Sequence, residues 1–546
     1  MASNPSPLPG LLLGLALLPC FPSASASSST PFMDWTACDE DLQAQFPGLR
    51  SRMQCARIEV PLDHQTPAGG TLLLDVLRVR AGDPTARRGN LFVSPGGPGV
   101  PAFFFTASLA ETWEGDFMPS PDKRRISERH DLIAVQQRGV AGSPLLDCKS
   151  DAILHPYADI TDDRSEVNLA AINLHAATVA QGCQSQPQSR YVNVDQMARD
   201  MEAVRQRLGG EPLNYWGVSW GTELGAWYGA LFPQHVDRMI LDSNVDWTRD
   251  LYHSWIAQGP ARQEIFERFV VDQVIRSPQA WGLGSSAADV FARFAGFLPT
   301  SRQIVRSLFE SPDVMVAVDF LDRTLRSNPA LTEPALASLA RTHRYSMDER
   351  IDTAARRWAT LVLPSYFSPP AGPTRLELPP TVSVFHTASC QSSAAMPPPG
   401  FWDALGDDAA RNSPIGGSHN SYEPCAYWTA ATSVRPDMRR LAGISNLVML
   451  QAEYDWRTPR QGAIDAHAKV RGASLVLAQG VQTHGFAYNG SSACMDRVAG
   501  RFMADGIKPG RMHLCSDSET HRLHSAPSYL ELLRQHTGSH SDVPFF

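Results

Sequence analysis

The chain has 546 residues, 43% hydrophobic and 19% charged, which is more length than one typical domain uses and enough apolar material for a sizeable core. Lysine and arginine number 48 against 56 aspartates and glutamates, a formal net charge of −8. That balance, with no basic run, excludes nucleic acid as the main partner, because phosphate binding needs a basic face.

The N-terminus reads as an export signal over residues 1–26. The apolar run LLLGLALLPCF, Leu11 to Phe21, is too short to span a bilayer, and Ala24-Ser25-Ala26 offers a small-residue cleavage site. The preceding MASNPSPLPG carries no lysine or arginine. No later segment is apolar enough for a stable membrane anchor, so a secreted, periplasmic or extracellular location is expected. Removing the signal takes Cys20 and leaves Cys38, Cys55, Cys148, Cys183, Cys390, Cys425, Cys494 and Cys515. An even set in an exported chain suits disulfides. Many connectivities are open; closing short local loops favours 38–55, 148–183, 390–425 and 494–515.

Further along, IEVPLDHQTPAGGTLLLDVLRVRA reads as antiparallel strands at a sheet edge. Near-continuous apolar runs then recur at Gly89–Gly97, His130–Gly139, Leu213–Ser219, Val236–Asn244, Ile444–Asp455 and Ala473–Gly480. Such runs suit strands buried on both faces. Helical patterns alternate with them. One is DQMARDMEAVRQRLGG, with Met197, Met201, Val204 and Leu208 on one face, Asp195 as start cap and Gly209 as end. Another is TELGAWYGALFP. The alternation predicts an α/β class with a mainly parallel central sheet flanked by helices. From 251 to 427 the strand runs stop, and amphipathic helical patterns and proline-rich connectors replace them. This predicts a mostly helical insertion between a first core part, 27–250, and a second, 428–546.

The run NYWGVSWGTELG holds Gly217-x-Ser219-x-Gly221 between an apolar strand and a helix. A nucleophile elbow needs that strand–turn–helix, with small residues two places either side of the serine. The hydroxyl needs a base, and the base an orienting carboxylate. Asp455 ends the run LVMLQAEYD and stands in D-x-x-T-P, ahead of its near competitor Glu453. His484 follows the strand at 473–480, so the order is Ser, Asp, His. An oxyanion needs two N–H donors. Trp220 at the helix start is one, and Gly97 in the SPGGPG loop is the other. His536 and His540, four apart, read as a solvated tail, as do His513, His521 and His524. No HExxH, GxxxxGK or strand-linked GxGxxG is present, so no metal or cofactor is expected.

These residues resemble the α/β-hydrolase fold. More narrowly, CARIEVPLDHQTP, SPGGPG, QQRGVAGSPLLDC, the segment from Ala198 to Asp242, DWRTP and THGFAYNGSSACMDRVAGRFMADGIKPG are similar to secreted tripeptidyl aminopeptidases and their proline-iminopeptidase relatives. The resemblance implies a serine exopeptidase acting on peptides with a free N-terminus, with Ser219, Asp455 and His484 as triad and the insertion as a cap that excludes folded proteins. Such an enzyme needs carboxylates for the substrate ammonium; Glu223 and Asp246 are the candidates. Three departures stand out. Pro95 replaces a common histidine, Gln136-Gln137-Arg138-Gly139 replaces Asp-x-Arg-Gly, and Glu223 takes a position where an aromatic is common. An esterase or lipase on the same triad is the rival reading, and a non-catalytic binding protein the third.

Overall fold

The computed structural model describes residues 32–516, apart from 117–118, 142–143, 370–371, 394–395, 418–419 and 430. The expected export signal and His521, His524, His536 and His540 lie outside the described residues.

The described residues form a nine-stranded sheet and a separate two-stranded ribbon. The strands in chain order are β1 (Met53–Pro61), β2 (Thr71–Val79), β3 (Asn90–Ser94), β4 (Asp131–Val135), β5 (Lys149–Leu154), β6 (Leu213–Val218), β7 (Val236–Asp242), β8 (Thr374–Glu377), β9 (Leu447–Ala452), β10 (Ser474–Ala478) and β11 (Met512–Cys515). The large sheet runs β1-β2-β4-β3-β6-β7-β9-β10-β11. β1 and β2 pair antiparallel, as does β2 with β4; the other neighbours are parallel. The six apolar runs of the sequence are six of its inner strands, β3, β4, β6, β7, β9 and β10.

These strands are apolar at almost every position because both faces are covered. Successive side chains point to opposite faces. In β9, Leu447 and Met449 join the core on one side, and Val448 and Leu450 the core on the other. In β6, Tyr215 and Trp216 divide the same way. The helix expected near 195–208 spans Val194–Arg207. Its cap is Asn193, whose side chain accepts from the Gln196 N–H; Asp195 instead pairs with Arg199 at 2.9 Å. Asparagine just outside the first turn reaches the N–H two or three residues on, which a residue inside the turn does not.

The segment between β7 and β9 is mostly helical and has its own apolar cluster, built on Phe266, Val270, Leu321, Ala355 and neighbours. Two features depart from the sequence reading. The connector SPPAGPTRLELPP contains a strand, β8. It pairs antiparallel with β5, which lies before the β6 turn. The helical region therefore draws on two stretches of chain, with the helix Glu166–Gln184 packed beside the 420–427 turn. The physical reason it escaped the pattern is that β5 is largely exposed, with no buried run to give it away.

The cysteines pair as short closure favours: Cys38–Cys55, Cys148–Cys183, Cys390–Cys425 and Cys494–Cys515. Among the described residues no helix is long and apolar enough to cross a membrane.

Candidate active site

Ser219 follows β6 directly and is the residue before the helix Trp220–Leu231. Its backbone is left-handed, φ 60° and ψ −124°, a conformation rare outside glycine. Its N–H donates to the Asp242 carbonyl at 2.9 Å, and its carbonyl accepts from the Thr222 N–H at 2.8 Å. The flanking glycines are there for close approach. A Cβ on Gly217 would lie 2.3 Å from the Gly221 carbonyl oxygen, and one on Gly221 would lie 2.8 Å from the Ser94 carbonyl oxygen. No side chain fits in either place.

Asp455 and His484 stand on the loops after β9 and β10, at the same end of the parallel strands. The imidazole Nδ1 of His484 lies 3.0 and 2.9 Å from the two oxygens of Asp455. The carboxylate is buried and holds other donors. The N–H groups of Arg457 and Thr458 reach Oδ1 at 3.0 Å each, and the Thr458 hydroxyl donates to Oδ2 at 2.8 Å. These donors keep the carboxylate from swinging away from the ring. Glu453 faces elsewhere: its Oε2 accepts the Gly480 N–H at 2.7 Å.

The SPGGPG loop leaves the end of β3 and lies against the serine. A Cβ on Gly96 would sit 2.6 Å from Ser219 Cβ and 3.0 Å from its Oγ. Gly97 follows with φ 103°. Trp220, first in its helix, has an N–H that the helix itself does not use. The loop is held from behind by the two glutamines that mark a departure in the sequence. Gln137 accepts the Gly99 N–H at 2.8 Å, and Gln136 accepts the Ala102 N–H at 3.1 Å. Arg138 next to them is buried against Asp200, with bonds of 2.5 and 2.7 Å, and His64 Nε2 reaches the same carboxylate at 2.8 Å. Burial would raise the Asp200 carboxyl, but the Arg138 guanidinium and His64 hold it below the ordinary range. The helical insertion packs against this loop. A Cβ on Gly99 would collide with the Thr381 carbonyl oxygen, 2.1 Å away, at the start of the helix Pro380–Gln391.

The two carboxylates expected to meet a substrate amine are not open to one. Glu223 has no exposed surface; its Oε1 accepts from Trp227 Nε1 at 3.0 Å and lies 3.4 Å from Arg435 Nη2. Burial raises its carboxyl against the pull of Arg435. Asp246 is also buried, and its Oδ1 accepts from the N–H and hydroxyl of Thr248. Glu223, fourth in the helix that follows Ser219, points back into the fold in this structure. His513 Nε2 lies 3.8 Å from Cys494 Sγ, but both nearby sulfurs are used by the Cys494–Cys515 disulfide, so this is no metal centre as it stands.

Residues 90–482 match the alpha/beta hydrolase fold family. The chain belongs to that family. Within it, this hydrolase is 26% identical over 508 residues to a tripeptidyl aminopeptidase of Streptomyces lividans, covering 91% of this chain and 89% of the relative. It is 27% identical over 498 residues to the serine protease Hip1 of Mycobacterium tuberculosis, covering 87% and 89%. A carboxylesterase B of the same organism is 27% identical over 530 residues, covering 93% and 96%.

The sequence missed Thr458, Gln136, Gln137 and the Asp242–Ser243 pair as parts of this hydrolase site. The threonine was legible in D-x-x-T-P, and the glutamines were visible as departures. Nothing in one dimension marks Asp242.

Proposed function

We propose that the chain is a secreted serine aminopeptidase that releases short peptides or single residues from free N-termini. Ser219 attacks the scissile carbonyl while His484 takes its proton. Asp455 holds the imidazole in one orientation and stabilises its charged form. The N–H groups of Gly97 and Trp220 receive the oxyanion, and water then hydrolyses the acyl-enzyme with His484 again as base. The observation that carries this reading is the doubly bonded contact between His484 Nδ1 and Asp455, at the strand ends where a left-handed Ser219 also stands. Similarity to the Streptomyces aminopeptidase over most of both chains supports the peptide substrate. The four cysteine pairs and the apolar leader support export.

The test is mass spectrometry of a peptide mixture incubated with purified protein. Products shortened from the N-terminus, lost on acetylating the substrate amines, are the expected result. Cleavage that ignores the amine overturns it. The carboxylesterase relative favours a second reading, ester hydrolysis on the same residues. Rates on an aminoacyl anilide and on a short acyl ester separate the two. In either case Ser219→Ala removes labelling by a fluorophosphonate and leaves the melting temperature within a few degrees.

A further inference from the structure

We infer that Asp242 and Ser243, at the end of β7, are the positioning residues that hold the serine turn and the histidine loop in register with each other. This rests on the serine-hydrolase reading of Ser219 and His484.

Three observations carry it. First, the Asp242 backbone carbonyl accepts the N–H of Ser219 at 2.9 Å, so it holds the turn at the hydroxyl-bearing residue itself. Second, the Asp242 side chain holds the residues just after His484. Its oxygens accept the Phe486 N–H at 3.0 and 2.9 Å, the Ala487 N–H at 2.8 Å, and Trp216 Nε1–H at 3.1 Å. Third, the Ser243 hydroxyl accepts the Gly485 N–H at 2.7 Å, so three consecutive N–H groups after the histidine land on two adjacent residues. Asp242 and Ser243 have no exposed surface.

The backbone supports the same assignment. Among the described residues, the non-glycine residues with left-handed φ are Ser219 and Ser243, at 60° and 59°. Such conformations cost of order 1–3 kcal/mol and persist where the surroundings demand them. Here they fall on the two residues flanking this junction. The left-handed turn at Ser243 accompanies an Oγ placed under the histidine loop.

The chemical need is clear. The base and nucleophile sit on loops far apart in sequence, and misplacement by about 1 Å costs on the order of 10²-fold in rate. Asp455 fixes the ring from one side only. Asp242 fixes the backbone that carries the ring, and fixes it to the strand neighbouring the serine. Neither residue touches the substrate in this role, so substrate affinity is untouched.

The experiment compares Asp242→Asn, Asp242→Ala and Ser243→Gly with wild type. Fluorophosphonate labelling rates, kcat and KM on the best substrate, and melting temperature are read for each. Asparagine keeps one acceptor oxygen and the shape; alanine keeps neither; glycine at 243 keeps the left-handed backbone and drops the hydroxyl. The expected result is a labelling rate and kcat lowered about 10- to 100-fold in Asp242→Asn, further in Asp242→Ala, and several-fold in Ser243→Gly, with KM within about twofold in all three. If Asp242→Ala does not fold, the other two carry the test. Folded Asp242→Asn and Ser243→Gly that label at the wild-type rate, or that raise KM at constant kcat, overturn the inference. Failure of the wild type to label instead overturns the serine-hydrolase reading beneath it.

Discussion

Two buried carboxylates, Asp455 at the strand ends and Glu423 in the helical insertion, have opposite surroundings. At the strand ends, Asp455 collects two backbone N–H groups, a hydroxyl and an imidazole, and Asp242 collects three donors. In the cap, Glu423 is only 4% exposed and its Oε2 has no hydrogen-bond partner among the described residues. Donors offset burial only in part, since burial still raises the Asp242 carboxyl to about 6 against the pull of the Phe486, Ala487 and Trp216 N–H groups. A charge without them is pushed to accept a proton. The difference belongs to these two residues and not to their regions, because Asp352 and Asp322 in the insertion also accept backbone N–H groups, from Tyr345 and Leu298.

The sharpest way to break that contrast is Asp455→Asn. The side-chain shape and the Arg457 and Thr458 N–H contacts to the remaining oxygen survive, but an amide NH2 takes the place of Oδ2, 2.9 Å from His484 Nδ1, and favours the wrong tautomer of the ring. Labelling by a fluorophosphonate should fall on the order of 10⁴-fold, with a melting temperature close to wild type. A drop of only a few fold would mean that the donor-rich site is structural.

A second comparison uses the disulfide that closes the cap. Cys390 ends the helix whose start touches Gly99, and its partner Cys425 lies 35 residues on. Replacing both with alanine removes a closed loop worth about 2–4 kcal/mol. Peptide KM should rise several-fold as the cap loosens, while the small fluorophosphonate labels within twofold of wild type. Equal losses in both readouts would show that cap and strand ends are one unit.

The same contrast explains what the sequence revealed. Ser219, Asp455 and His484 stand out because each lies at or just after the end of an apolar run, and a run buried on both faces is legible in one dimension. Gly217 and Gly221 are legible because crowding leaves no other choice. The cysteine pairs follow from loop length. The order β2-β4-β3 is not written in any local pattern. Nor is the pairing of β5 with β8, two short ribbons without a buried face. Asp242, Gln136 and Gln137 are ordinary polar residues whose roles depend on which N–H groups face them, and those groups come from elsewhere in the chain. Glu223 was legible as unusual but not as buried, because its partner Arg435 lies more than two hundred residues away.

The mildest test addresses the cap acid itself. Burial raises the Glu423 carboxyl to about 8, with Asp403 adding to the rise and Arg164 opposing it. An unfolded glutamate titrates near 4.3. The folded state therefore binds this proton more tightly than the unfolded state does. Its contribution to stability is full below about pH 4.3 and is lost as pH rises to about 8, by at most about 1.4 kcal/mol per pH unit. Glu423→Gln copies the protonated form at every pH. At pH 5 the variant should melt close to wild type. Between pH 5 and 8 the gap, variant minus wild type, should open in favour of the variant, and above 8 it should stop growing. A gap that stays constant across that range would show that Glu423 has found donors, as Asp455 has.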